Sequence, residues 1–287
     1  MLLKRAAEKK RVCNFIVLTY KFSGKTKKIR SSALKKLSIV FVVLAIGFSV
    51  INVSCVHFGN GNIITSEVSL TPFERIHSSG SYEVRFHVSP GYRAVVTVDS
   101  NLFQYVTLNI YNGTLDIGTK NMKSCRFTKF IVDVYAPALT GVKISGSGKF
   151  IVIDKITAPS FDLNISGSGN VEGSIESDTF SIKLSGSGKL KNNIICNDFS
   201  ANISGSGAIT VSGTAKDSNI AISGSGSFNG AEFKTNNTTA HISGSGNLHI
   251  WVLDYLRASV SGSGSIKYRG APKIEFNGSG SGRIIAE

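Results

Sequence analysis

The chain has 287 residues, of which 41% are apolar and 17% charged, a composition that can bury a core and is unlike that of a disordered chain. Its formal net charge of +14 is concentrated at the start: residues 1–36 hold twelve Lys/Arg and one Glu, which leaves +3 for residues 37–287. That small excess excludes a broad nucleic-acid-binding face from the folded part.

Residues 1–54 read as a basic leader plus a signal peptide. After Lys35-Lys36 runs "LSIVFVVLAIGFSVINVSC", apolar from Leu37 to Val53 and broken only by small residues and Asn52. Positive residues, an apolar stretch of about 15 and a small-residue exit are the parts of a secretory signal, and a membrane span wants about 20 apolar residues. Val53-Ser54-Cys55 is similar to a bacterial lipobox, in which Cys55 would be lipidated and become the first residue of the mature protein; Asn52 stands where Leu is usual. A cleaved signal of another type and an uncleaved anchor are the alternatives. Residues 1–30 are long and basic for a signal, and a start codon assigned too far upstream would account for them. "SGKT" at Ser23 to Thr26 resembles the tail of a phosphate-binding loop, but Thr19 stands where that motif needs Gly.

Residues 55–140 are expected to form a β-rich capping part. "RAVVTVDS", "VTLNIYNGTLDIGT" and "FIVDVYAP" alternate apolar and polar residues, the period of a strand with one buried face. Asn112-Gly113 between two such runs is a hairpin signal. Four cysteines occur, Cys13, Cys55, Cys125 and Cys196; no Cys/His spacing suggests a metal. A Cys125–Cys196 disulfide is possible in an oxidising compartment, with buried free thiols the preferred reading.

Residues 141–287 carry a repeat. "ISGSG", "LSGSG" or "VSGSG" recurs with its first two residues after the apolar one at Ser145-Gly146, Ser166-Gly167, Ser185-Gly186, Ser204-Gly205, Ser223-Gly224, Ser243-Gly244 and Ser261-Gly262, and fades to "FNGSGSG" with Asn277 taken in the place of Ser. The spacings are 21, 19, 19, 19, 20, 18 and 16, the mark of a repeat architecture. One residue before each motif stand Ile144, Ile165, Leu184, Ile203, Ile222, Ile242 and Val260, and five residues after its first Ser stand Phe150, Val171, Leu190, Ile209, Phe228, Leu248 and Ile266. Each Ser-Gly-Ser-Gly word is thus expected to be a corner between short strands, with Gly at positive φ and Ser hydroxyls bonding the same corner in adjacent coils. Asp178, Asp198, Asp217, Asn237 and Asp254, six or seven residues before the motif, are expected to form turns by bonding their own backbone. The fold expected is all-β: a parallel β-helix or solenoid of about eight short coils, spaced at about 4.8 Å, with a β-rich N-terminal cap that covers its first coil.

"GNGNIITSEVSLTPFERIHSSGSYEVRFHV", then "VDSNLFQYVTLNIYNGTLDIGTK", then the SGSG units resemble the bacterial head-GIN domain family, described as auto-transporter adhesin heads. The resemblance spans about Gly59 to Glu287. It implies secreted or surface lipoproteins with right-handed β-helices, and it brings no catalytic residues. The chain ends soon after its last coil without a membrane barrel, so export in the auto-transporter manner is not expected.

Reactive constellations are not evident. Enzymatic β-helices gather carboxylates on one face, whereas Asp154, Asp162, Glu172, Glu176 and Glu232 fall at different repeat positions. Calcium β-rolls need Asp in a glycine-rich nonapeptide, and the corners have Ser. The five His (His57, His77, His87, His241, His249) share no ligand spacing, so neither a metal nor another cofactor is expected. Trp251 and Tyr255 form one aromatic-rich insertion, readable as a sugar-stacking patch, with core filling or an end contact the preferred reading. The expectation is a non-enzymatic cell-envelope lipoprotein, at the outer membrane or cell surface or on the periplasmic face, whose rigid solenoid is an adhesin-like or structural binding surface. Its partners would be the membrane through a lipid anchor and a surface protein or glycan, with no nucleic acid. Self-association through solenoid ends is a further reading. The alternative is a carbohydrate-binding or carbohydrate-active β-helix acting on envelope polysaccharide.

Overall fold

The computed structural model describes residues 56–120 and 125–287, so the expected leader and Cys55 lie outside the described residues. The described part is built from strands, with one 3₁₀ turn at Phe103–Tyr105. In chain order they are β1 (His57–Phe58), β2 (Ile63–Ser69), β3 (Arg75–Gly80), β4 (Glu83–Val88), β5 (Arg93–Asp99), β6 (Val106–Tyr111), β7 (Thr114–Thr119), β8 (Cys125–Arg126), β9 (Phe130–Ala136), β10 (Gly141–Gly146) and β11 (Lys149–Val152). Then come β12 (Ile156–Gly167), β13 (Asn170–Gly186), β14 (Lys189–Gly205), β15 (Ala208–Gly224), β16 (Ser227–Gly244), β17 (Asn247–Gly262), β18 (Ser265–Arg269), β19 (Lys273–Gly280) and β20 (Arg283–Ala286).

From β10 onward the strands pile in parallel, in register, as the coils of a β-solenoid. Ser145 pairs with Ser166, Ser166 with Ser185, and so on through Ser204, Ser223, Ser243 and Ser261. The interior is made of columns. Ile144, Ile165, Leu184, Ile203, Ile222, Ile242 and Val260 form one, Phe150, Val171, Leu190, Ile209, Phe228, Leu248 and Ile266 another, and all are buried. Phe161, Phe180 and Phe199 stack with ring centroids 5.6 and 6.1 Å apart. Each ring removed from water contributes about 1.5–3 kcal/mol, and no strand has enough apolar surface to be stable without the coils above and below it.

The corners work by backbone. Ser187 N–H donates to Gly167 O at 2.9 Å and Lys189 N–H to Gly169 O at 3.0 Å, and the same two bonds recur from coil to coil. The coil-to-coil bonds at these corners are main-chain bonds. Gly205 shows why the position admits only glycine: its φ is +120°, and a Cβ there would lie 2.7 Å from Gly186 O.

The stack begins before the first SGSG word. β10 pairs with β3 and β11 with β4, all in parallel, which places Ser79-Gly80 in the Ser145-Gly146 column. β3 and β4 rest in turn on β7 and β9. Antiparallel strands β6, against β7, and β5, against β9 and β2, complete this N-terminal end. The β6–β7 hairpin turns at Asn112-Gly113, whose φ values are +48° and +69°, the left-handed pair that a two-residue hairpin turn requires. At the other end the register differs from the expected one. Ser261 pairs with Ser279, so the last corner is Ser279-Gly280-Ser281-Gly282 and Asn277 lies opposite Ser259. The spacing there is 18 rather than 16. Ile274 and Phe276, which face the inside of this last coil, are 37% and 40% exposed.

The expected Asp turns also resolve differently. Asn197 Nδ2 donates to Asp178 Oδ1 at 3.3 Å, Asn237 Nδ2 to Asp217 Oδ1 at 2.8 Å, and Asn236 Nδ2 to Asp254 Oδ2 at 2.7 Å. These carboxylates bond the amide of an adjacent coil. They form two neighbouring rows of side-chain rungs.

Candidate functional site

Strand alternation sends every second residue outward, so parallel coils turn each outward position into a row along the solenoid. Two such rows flank a groove. Glu172, Lys191, Thr210 and Asn229 form one, and Asn193, Ser212 and Glu232 the other, in pairing register from β13 to β16. The groove has a volume of about 620 Å³, with Gly173, Asn192 and Val211 between the rows. At its β16 end an extra residue enters the strand, since Thr210 pairs with Asn229 but Ser212 with Glu232. Ala231 N–H is held there by Asn229 Oδ1 at 3.2 Å.

The groove is polar and nearly balanced in charge. Lys149 Nζ lies 3.1 Å from Glu172 Oε2, and Lys191 pairs in register with Glu172. Asn193 Nδ2 donates to Ser212 Oγ at 3.1 Å. Asn192 sits in an inward position at 3% exposure, and neither atom of its amide has a hydrogen-bond partner among the described residues. A buried group left in that state costs about 1–3 kcal/mol, so the position is not optimised for stability.

The carboxylates do not form an acid–base pair. Glu172 and Glu232 stand three coils apart, about 14 Å at about 4.8 Å per coil. Glycoside hydrolysis needs two carboxyl groups within about 5–9.5 Å.

A second constellation was not apparent in the sequence. His77 Nε2 lies 3.0 Å from Ser145 Oγ, and His77 Nδ1 lies 3.1 Å from Asp116 Oδ1. This is the order of contacts in a Ser-His-Asp triad. Acyl transfer also needs N–H donors aimed at the developing oxyanion, and the strand carrying Ser145 is paired on both sides, with β3 and β12. Asp116 is half exposed on the open surface. The arrangement ties three successive coils together across their outer face.

Trp251 and Tyr255 occupy different places. Trp251 lies between the coils that carry Lys234 and Arg269, whose cationic groups stand 4.2 and 4.1 Å from its ring. A sugar stacking there would have to displace a cation. Tyr255 hydrogen-bonds Glu275, which raises the Tyr hydroxyl and lowers the carboxyl from their ordinary pKa values. Both cysteines among the described residues are free; Cys196 is buried and Cys125 half-buried. Among the described residues no three His, Cys, Asp or Glu side chains converge on a common point.

A family model described as "Putative auto-transporter adhesin, head GIN domain" matches residues 72–193 and again 170–272. The first match starts at β3 and its coil, ahead of the SGSG words. No curated protein matches. Among solved structures, one described as a putative adhesin from Parabacteroides merdae ATCC 43184 is 26% identical with a TM-score of 0.77, and covers 80% of this chain and 98% of its own. One described as a putative lipid binding protein from Parabacteroides distasonis ATCC 8503 is 29% identical with a TM-score of 0.77 over the same shares. A putative adhesin from that organism is 26% identical with a TM-score of 0.74, covering 80% of this chain and 97% of its own.

Proposed function

Because this chain belongs to the head GIN domain family of auto-transporter-adhesin-like proteins, we propose that it is a lipid-anchored, surface-exposed binding protein whose solenoid presents outward rows of side chains to a partner. It works by adhesion, without catalysing a reaction. The observation that carries this reading is the in-register stack itself: from β12 to β17 outward positions are repeated in line with their neighbours, interrupted where β16 shifts register against β15 and β17. Such a surface is rigid and multivalent, which suits contact with a long or repetitive ligand.

Anchoring rests on Cys55, which follows Ser54 at the end of the apolar run Leu37–Val53. One similar structure, from Parabacteroides distasonis, is described as a putative lipid binding protein. The interior is filled by side chains such as Phe161, Phe180, Ile182 and Leu184, all almost fully buried, so lipid fits this chain as a covalent tether better than as cargo.

Two measurements on cells test the proposal. Cys55→Ala should move the protein from the membrane to the soluble fraction, and globomycin should make a longer, unprocessed precursor accumulate in the membrane. Protease added to intact cells should degrade the solenoid. Unchanged fractionation would overturn the anchor, and full protection in intact cells with cleavage after lysis would overturn surface exposure.

A further inference from the structure

We propose that the groove between the Glu172–Asn229 and Asn193–Glu232 rows binds an extended, uncharged, β-linked polysaccharide, with successive sugar rings meeting successive coils. This rests on the reading of the solenoid as a binding surface, and it names the ligand class and the place.

Three features point to that ligand. The first is repeat length. The groove runs along the stacking direction through four coils, β13 to β16, at about 4.8 Å per coil. That spacing is close to the advance per ring of a fully extended β-linked pyranose chain, so one polar set can face each ring. A peptide added as a strand would need an open sheet edge, and these four coils have both edges paired.

The second feature is hydrogen-bonding type. Asn193, Thr210, Ser212 and Asn229 are short side chains that offer both donors and acceptors, as sugar hydroxyls do. Asn193 and Ser212 already hold each other at 3.1 Å, and Asn229 accepts from the Ala231 N–H. These residues are therefore positioned before a ligand arrives, which lowers the ordering cost of binding.

The third feature is charge. Glu172 is matched by Lys149 at 3.1 Å, and the remaining Lys191 and Glu232 in the groove are of opposite sign. A polyanion such as a uronate chain, a sulfated glycan or a nucleic acid would gain little there. With no aromatic platform in the groove, each site binds weakly, and adhesion comes from many copies engaging one polymer.

The test uses the full chain in detergent, titrated by calorimetry with cellohexaose and with chitohexaose. Isomaltohexaose serves as the α-linked control and a heparin hexasaccharide as the polyanionic one. The expected result is saturable binding of at least one β-linked hexasaccharide. The combined Thr210→Ala, Asn229→Ala and Glu232→Ala variant should weaken it at least tenfold with an unchanged unfolding midpoint. Asn192→Val, which places the residue type of Val211 in the same column, should raise the midpoint and leave binding intact, because this side chain points inward. Absence of binding to both β-linked probes, a preference for heparin, or binding that the triple variant leaves intact would each overturn the proposal. None of these outcomes touches the Cys55 fractionation test, so loss of the groove and loss of the surface anchor are separable.

Discussion

The N–H of Gly61 donates to Asp99 Oδ1 at 2.9 Å, and the other oxygen of that carboxylate receives Thr128 N–H at 2.8 Å and Lys129 N–H at 3.4 Å. Asp99 is fully buried. The Gly-Asn-Gly-Asn start of the domain is built around it. A Cβ on Gly59 would lie 2.4 Å from the Asp99 carboxylate, and Asn60 and Asn62 bond to Asn101 and Ser100 on the far side of the loop.

Asp99 sets a pH dependence with a definite sign. Burial pushes its carboxyl upward, but the N–H donors of Gly61, Thr128 and Lys129 outweigh burial and hold it below its ordinary value of 3.8. The stability it contributes is complete above that value and is lost as pH falls through the lower folded pKa. Asp99→Asn should cost about 2–4 kcal/mol near neutral pH, because buried donors lose a charged acceptor. In urea titrations the gap between wild type and variant should narrow from pH 6 to pH 3; a gap that widens on acidification would refute the assignment.

Corner glycines should differ by position along the stack. At Gly205→Ala the new Cβ meets Gly186 O in the middle of the solenoid, and at Gly280→Ala it meets Gly262 O, at 2.8 Å, in the last coil. Strain in the middle breaks contacts with coils on both sides, whereas the end coil frays alone. Gly205→Ala should lower stability by about 3 kcal/mol or more. Gly280→Ala should chiefly accelerate amide exchange in β19 and β20. Equal losses of global stability would contradict the coil-by-coil picture.

The phenylalanine column ends in hydroxyls. After Phe199 its next members are Ser218 and Thr238, both buried. Thr238 Oγ1 lies 2.7 Å from Ser218 Oγ and 2.7 Å from Thr235 Oγ1, and Thr235 Oγ1 donates to Trp251 O at 3.2 Å. Phe233 opposes Gly213 in the register and lies 4.9 Å from Phe199, filling space that Ser218 leaves. Thr238→Val should cost about 1–2 kcal/mol by removing the middle of this chain. Ser218→Ala and Thr238→Val together should cost less than the sum of the two, as a double-mutant cycle by denaturation would show.

The thiols should separate by reactivity. Burial, reinforced by the Asp198 charge, pushes the Cys196 thiol up to about 12; burial also raises Cys125, which is half-exposed to reagent. Since the thiolate is the reactive form, iodoacetamide at pH 8 followed by peptide mapping should label Cys125 in the native protein. Cys196 should react only once denaturant is added. Rapid native labelling of Cys196 would show that the β14 coil opens.

Much of this architecture is legible in the sequence because coils in register repeat the same inward residue types every 19 residues or so. Two corners were harder to read. At Ser79-Gly80-Ser81 the fourth position, Gly in the other words, is Tyr82, and the preceding inward position is Ser78, so the word lacks its apolar lead. At the other end "FNGSGSG" contains two overlapping frames, and only strand pairing selects Ser279 over Asn277. The groove was hidden for a different reason: Lys191, Thr210 and Asn229 look like any solvated face until the coils place them in one row. Asn192 in an inward position breaks the alternation rule, and such breaks mark places where stability yields to another demand. His77, Asp116 and Ser145 come from three strands far apart in the chain, and no spacing relates them.

The repeated corner also makes the length of this protein adjustable in whole units. Ser185 pairs with Ser204, so excision of residues 187–205 would join Gly186 to Ser206 and regenerate an intact Ser-Gly-Ser-Gly word. Duplication of the same stretch would do likewise. Gene-level slippage of one period therefore changes reach by a single step of about 4.8 Å while every seam stays native, and the length of the outward rows changes with it.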